Sequence, residues 1–312
     1  MLDSVIKTIG PEWDQGRLSG KGSKGGAPGL ASFRRAGARM KKFDDIGPEF
    51  GREGRRREDI AKQFEDEGRI ISARENYFIA SLLYASAQWP YFDINDEDLE
   101  WERRMIETYD KFISHSPHPV ERVDIPFQDT AMSAFLHLPS KPRNDETFPC
   151  VLHIGGMDGS KENMVAIYGD AALSRNMAVL ALDGPGQGET RNRGITISSD
   201  NFAAATDTVV EWLGKRPEID PERIVIRGSS FGTYYGTVAA AGLKNKIKGG
   251  KKILSKTISV SAVESEIAKP LEDIQNKFKN IEIGSYPFFR MGKIGVSIVM
   301  RSTEENEIDD CS

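Results

Sequence analysis

The sequence predicts an α/β fold, a parallel sheet covered by helices, and three observations carry that prediction. Cys150 to Ile154, Met177 to Leu182 and Ile224 to Ile226 are short, strongly apolar runs of strand length. Helical patterns, Glu162 to Arg175 and Phe202 to Leu213, separate them. Each run ends in a glycine-rich turn: Gly155 to Gly159, Asp183 to Glu189, and Gly228 to Gly232. Strands buried on both faces read as continuous apolar runs, and their alternation with amphipathic helices makes neighbours parallel. In an open sheet of this kind the functional crevice lies at the carboxyl ends of the strands, where these turns sit.

The other elements follow in chain order. Residues 1–57 are rich in glycine, arginine and lysine, with too few apolar side chains to offset the entropy of ordering, so a loosely ordered segment is expected. The basic Arg52 to Arg57 cluster has acidic neighbours and reads as a solvated face. Residues 58–117 read as a helical cap. Ser72 and Glu75 have capping-box spacing, and Phe78, Leu82, Ala85 and Trp89 line a helix that Pro90 stops. A second helix from about Leu99 carries Trp101, Met105, Tyr109 and Phe112, an aromatic stripe that reads as packing rather than a cofactor box. From Val120 the period falls to two, predicting strands paired about Gln128, Asp129 and Thr130. Residues 118–263 form the expected core, with Thr257 to Val263 as its next strand. Residues 264–312 form a divergent segment ending in a solvated acidic tail.

With 312 residues and 38% hydrophobic content, one sizeable core plus a smaller unit is expected. A net charge of −5 favours neither nucleic acid nor an acidic membrane as partner. The amino terminus lacks a secretory pattern and no apolar run reaches membrane-spanning length, so a cytoplasmic protein is expected. Cys150 and Cys311 do not suggest a disulfide framework. The Asp183 to Glu189 turn lacks the Lys-Ser/Thr ending of a phosphate loop and does not match G-x-G-x-x-G. It reads as a structural turn shaping the pocket, and no cofactor or metal is expected.

Gly228-Ser229-Ser230-Phe231-Gly232, between the strand-like Arg223 to Arg227 and a helix-compatible stretch, has the form of a nucleophile elbow. The sharp turn brings backbones together, which small residues tolerate. Ser230 is then the nucleophile. Phe231 supplies one oxyanion amide, and Gly156 or Met157 supplies the second from the turn two strands earlier. Backbone amides suit the task because they are fixed before charge develops on the carbonyl oxygen.

The runs His153 to Glu162, Leu182 to Glu189 and Gly228 to Gly232 resemble the α/β-hydrolase branch that holds fermentation-respiration-switch-type esterases, 2,6-dihydroxypseudooxynicotine hydrolase and pigment-pathway hydrolases that shorten polyketide chains. The resemblance covers roughly Tyr77 to Leu243. It implies an α/β-hydrolase fold with an N-terminal helical cap, and a serine-dependent attack on a small-molecule carbonyl. What the resemblance implies for the bond cleaved is either the carbon–carbon bond of a polyketide or acyl-aromatic ketone, or an ester, in pigment or secondary metabolism.

Members of such folds place an acid and then a histidine after the serine. The four histidines here, His115, His118, His137 and His153, all precede Ser230. His153 reads as a buried strand residue, His115 and His118 as linker residues, and His137 as structural. Losing the base of such a triad costs about a millionfold in turnover. Three explanations stand open: an incomplete carboxyl end, a non-catalytic relative that binds a ligand or partner, or a base supplied by an upstream histidine or a second subunit. An incomplete sheet would leave an open edge beside Thr257 to Val263, with poor solubility or a homodimer as the expected result.

Overall fold

Among the described residues, five α-helices precede the first strand: α1 (Leu2–Ile9), α2 (Gly26–Gly37), α3 (Ile46–Asp66), α4 (Ile70–Ala87) and α5 (Asp96–Ser114). The structure is a computed structural model, and it describes residues 2–9, 20–140, 147–167, 169–198, 200–242, 253–290 and 293–311. The chain divides into two units, Met1–Ile247 and Lys248–Ser312.

The expectation that residues 1–57 are loosely ordered is corrected over 20–57 by α2 and α3, while 10–19 lie outside the described residues. Phe33 and Phe50 are buried, with ring centroids 5.3 Å apart. The glycines are points of close approach rather than signs of looseness. A Cβ on Gly51 would lie 2.7 Å from Cζ2 of Trp101, and one on Gly54 the same distance from Cε1 of Tyr84. Arg57 is also more than a solvated charge: it donates to Ser32 Oγ at 2.7 Å and Asn76 Oδ1 at 2.8 Å, tying α3 to α2 and α4.

Helix α4 begins at Ile70, so Ser72 lies inside it and the expected capping box is not formed. Its apolar girth is enclosed by α3 and α5, which bury Tyr77, Phe78, Leu82, Leu83 and Tyr84. Helix α5 starts at Asp96, capped by Asn95, whose side chain accepts from the Asp98 amide at 2.9 Å. Trp101, Met105, Tyr109 and Phe112 enter the same core, so the aromatic stripe is packing.

The sheet follows: β1 (Val120–Phe127), β2 (Thr130–His137), β3 (Phe148–Ile154), β4 (Ala178–Leu182) and β5 (Ile219–Gly228), in the order β1-β2-β4-β3-β5. The three apolar runs pair in parallel, β3 with β4 and with β5. The β1–β2 hairpin turns at Gln128, with φ 53°, and joins β4 antiparallel, which makes the whole sheet mixed. Among the described residues between β3 and β4 the predicted helix is not formed; short 3₁₀ turns at Lys161–Asn163 and Leu173–Arg175 take its place. Lys161 and Glu162 turn into the interior, which a solvent-facing helix there would not allow. Helix α6 (Gly188–Asn192) follows β4, and α7 (Asn201–Gly214) covers the sheet with Phe202, Val209 and Leu213. Helix α8 (Phe231–Gly242) follows β5.

The second unit holds β6 (Leu254–Val260), α9 (Glu264–Lys277), β7 (Glu282–Arg290), β8 (Lys293–Ser302) and α10 (Glu305–Cys311). Its antiparallel sheet runs β6-β8-β7 over a small core of Ile281, Met300 and Ile308. Thr257 to Val263 was expected to extend the parallel sheet, whereas β6 pairs with β8, Leu254 opposite Ser302. The acidic tail likewise contains α10, with Ile308 buried. Among the described residues the larger sheet ends in β1 on one side and β5 on the other, with Val225 of β5 51% exposed, and β6 is an edge strand of the smaller sheet.

Candidate active site

Ser229 and Ser230 make the whole connection between β5 and α8. Ser230 has φ 54°, a left-handed conformation that costs a non-glycine residue free energy. The turn is held by three backbone bonds: Ser229 N to Ile154 O at 3.2 Å, Gly232 N to Ser229 O at 2.9 Å, and Thr233 N to Ser230 O at 3.0 Å. Both flanking glycines are required by crowding. A Cβ on Gly228 would lie 2.6 Å from Cα of Thr233, and one on Gly232 would overlap the carbonyls of Ile154 and Gly155.

Gly156 comes against the serine. A Cβ there would sit 3.0 Å from Cβ and 3.5 Å from Oγ of Ser230. Ser230 and Gly156 are thus brought together from β5 and β3, and Met157, 73% exposed, continues the same turn. Phe231 opens α8, so its amide is one of the helix's first N–H groups, which lack intrahelical partners.

Ser230 lines a cleft of about 610 Å³ together with Gly156, His153, Lys24 and Arg227. Burial, then Arg227 and Lys24, bring the His153 pKa down to about 4, so its imidazole is neutral at pH 7. Among the described residues no histidine hydrogen-bonds the Ser230 hydroxyl. His115 lies 3.3 Å from Glu65 Oε1, and His118 Nε2 lies 3.0 Å from His137 Nδ1. Burial lowers His118, and holds His137 at about 3. One side of the cleft comes from the segment expected to be loose. Lys21 donates to the Asp158 carbonyl at 3.0 Å, and Lys24 donates to that of Asn163. Burial, then Lys21 and Arg227, lowers the Lys24 pKa to about 8.

A second cavity of about 310 Å³ lies between cap and core. Trp89, Tyr91 and Phe92 line it from the stretch just after α4, Met157 and Gly186 from the turns after β3 and β4, and Arg191 from α6.

Behind the turns is an ion cluster that sequence reasoning missed. Lys161 Nζ, fully buried, is 2.7 Å from Glu162 Oε1, 3.2 Å from Asp183 Oδ2 and 3.0 Å from Glu189 Oε2. Burial alone would discharge the lysine, but the three carboxylates outweigh it and raise its pKa. Burial acts upward on Glu189 as well, and Lys161 and Arg122 overcome it, leaving that carboxyl well below its usual range. Asp183 also accepts from the amides of Lys161 at 2.7 Å and Glu189 at 3.2 Å, so it seats the turns after β3 and β4 together. The available signal was the pair of charged residues beside two glycine turns, which the helix expected over 162–175 hid. Among the described residues no group of three or more His, Cys, Asp or Glu side chains is placed to hold a metal ion, and no helix is long and apolar enough to cross a membrane.

Residues 54–250 match the family described as Esterase FrsA-like, and residues 252–312 match FAD synthase, middle domain. The chain is 27% identical over 240 residues to the α/β hydrolase gkaG of Penicillium citrinum, covering 74% of this chain and 56% of that protein. It is 24% identical over 243 residues to the esterase FrsA of Photobacterium profundum, with coverages of 76% and 53%. The solved structure of 2,6-dihydroxy-pseudo-oxynicotine hydrolase aligns with a TM-score of 0.60 at 26% identity, covering 72% of this chain and 60% of that one. The chain spans about half the length of the curated relatives it matches.

Proposed function

The chain belongs to the FrsA-like esterase family and has an α/β-hydrolase fold, and from that premise we propose that it is a serine-dependent hydrolase of a small carbonyl compound, with Ser230 as nucleophile. The observation that carries this reading is the left-handed Ser230 between crowded glycines with Gly156 against it. Backbone strain of about 1–3 kcal/mol persists only where the surroundings over-determine it, and it clusters at active sites.

In this reading Ser230 Oγ adds to the carbonyl carbon and the π pair moves to oxygen. The amides of Phe231 and of Gly156 or Met157 stabilise that oxyanion. Collapse re-forms the carbonyl and expels an alkoxide from an ester, or an enolate or phenolate carbanion from a ketone, protonated as it leaves. Water then attacks the acyl-serine and releases the acid. The serine proton needs an acceptor, and His153, neutral and in the same cleft, is the candidate within this chain. The aromatic lining of the second cavity, which shares Asp158 and Gly159 with the Ser230 cleft, suits the flat body of an acyl-aromatic or polyketide substrate of secondary metabolism, such as a pigment precursor. The names of an esterase and of a 2,6-dihydroxy-pseudo-oxynicotine hydrolase among the relatives support a carbonyl substrate.

A fluorophosphonate probe should add its mass to the protein at Ser230, and Ser230→Ala should abolish the addition. A second reading, a relative that binds ligand without turnover, is favoured by the absence of a histidine bonded to the Ser230 hydroxyl among the described residues. It predicts calorimetric binding of an aryl ketone with neither labelling nor turnover.

A further inference from the structure

Gln187 lies in the turn after β4, 3% exposed, with its side chain bonded to backbone groups of two turns. Its Nε2 donates to the carbonyls of Gly155 at 2.8 Å and Gly156 at 2.9 Å, and its Oε1 accepts from the Gly184 amide at 3.1 Å. A carboxamide has two N–H donors, and both are used on consecutive carbonyls of the turn that faces Ser230. In a planar trans peptide the C=O of one residue and the N–H of the next point in opposite directions. With the carbonyls of residues 155 and 156 drawn toward Gln187, the amides of Gly156 and Met157 are turned together to the other side. Successive N–H groups aimed one way form an anion-binding concavity.

The surroundings make room for this side chain and keep it in place. A Cβ on Gly184 would stand 3.2 Å from Gln187 Oε1 and 2.8 Å from the Phe202 ring. The Gln187 amide closes its own turn onto the Gly184 carbonyl at 3.0 Å. Asp183, anchored to the Lys161 amide, sets where that turn begins.

We propose that Gln187 is a positioning residue of the oxyanion turn, clamping the carbonyls of Gly155 and Gly156 so that the amides of Gly156 and Met157 are presented together to the oxyanion. The inference rests on the reading of Ser230 as nucleophile. Gln187 itself touches no reacting atom; it fixes the donors before charge develops, which is where such donors gain their effect.

The test uses the full chain with Gln187→Met, which keeps size and loses both donors, and Gln187→Glu, which regains one donor only when protonated. Two readouts are taken: the rate of fluorophosphonate addition at Ser230, and amide exchange in the peptide spanning residues 154–160 followed by mass spectrometry. Gln187→Met should exchange at least tenfold faster in that peptide and label roughly tenfold to a thousandfold more slowly, the upper end being the cost of losing an oxyanion donor outright. Gln187→Glu should label faster as pH falls from 8 to 5, whereas the wild type, whose His153 titrates at about 4, should change little over that range. Exchange and labelling within twofold of wild type in Gln187→Met overturn the proposal, and so does a Gln187→Glu pH profile that runs parallel to wild type. If the wild type does not label, the nucleophile reading has failed, and the exchange measurement alone then decides the clamp: faster exchange sustains it and unchanged exchange overturns it.

Discussion

At Ser230 the main chain adopts φ 54°, where a residue with a Cβ is held at a cost of roughly 1–2 kcal/mol relative to its right-handed alternatives. Glycine escapes that cost but loses more chain entropy on folding, so the net gain is smaller. Ser230→Gly is expected to stabilise the larger unit by about 0.5–1 kcal/mol while removing the nucleophile, and Ser230→Ala is expected to leave stability nearly unchanged. Chemical denaturation of the two variants checks this; equal midpoints would mean that the turn is not strained. The serine and its two glycines were legible because the elbow's crowding dictates small residues at fixed spacing. Gln187 was not. Its partners are carbonyls of any sequence, thirty residues away on another turn, and such contacts leave no periodicity or spacing to read.

Between elements, the cap meets the core through α5 and α6. Glu102 Oε1 accepts from Asn192 Nδ2 at 2.8 Å, and Asp98 lies 3.5 Å from Arg191. Burial raises the Glu102 pKa to about 7, with Glu189 adding to the rise, and burial raises Asp98 to about 6 against the pull of Arg191. A carboxyl whose folded pKa is raised binds its proton more tightly when folded. The stability it contributes is therefore complete below the unfolded value of about 4.5 and is lost as pH climbs through about 7. Glu102→Gln should flatten the stability profile across that window, by up to about 3 kcal/mol, and be the more stable form at pH 8. Melting curves at pH 5 and pH 8 read the difference; parallel profiles would remove Glu102 from the account.

The Lys161 cluster works at the same scale by joining the turns after β3 and β4 to α6. Lys161→Met leaves Glu162, Asp183 and Glu189 facing one another without their shared cation, and should cost about 3–5 kcal/mol in denaturant unfolding. A loss under 1 kcal/mol would show that water reaches the cluster. Helical periodicity placed α4 and α5 correctly because their apolar faces repeat over four or five turns. The stretch at 162–175 looked helical in isolation, and burial of Lys161 and Glu162 overrode that local preference.

Across the whole molecule, the three turns and their strands declared the α/β-hydrolase core, while two larger features did not show. Glycine content in the first 57 residues suggested looseness, since composition cannot distinguish a flexible glycine from one that admits an aromatic ring, as Gly51 and Gly54 do. The strand at Leu254–Val260 was recognisable, but not the sheet to which it belongs. A short apolar alternation specifies a strand; its partner, here β8 some forty residues on, is fixed by non-local pairing. The separately matched residues 252–312 span β6 to α10, the elements of that second unit.

The central claim is that Ser230 is a nucleophile held ready beside the Gly156 turn. Intact-mass measurement after exposure to a fluorophosphonate, followed by peptide mapping, tests it most directly. One adduct on Ser230, absent from Ser230→Ala, is the predicted result; an unmodified chain, or an adduct elsewhere that persists in Ser230→Ala, would contradict it.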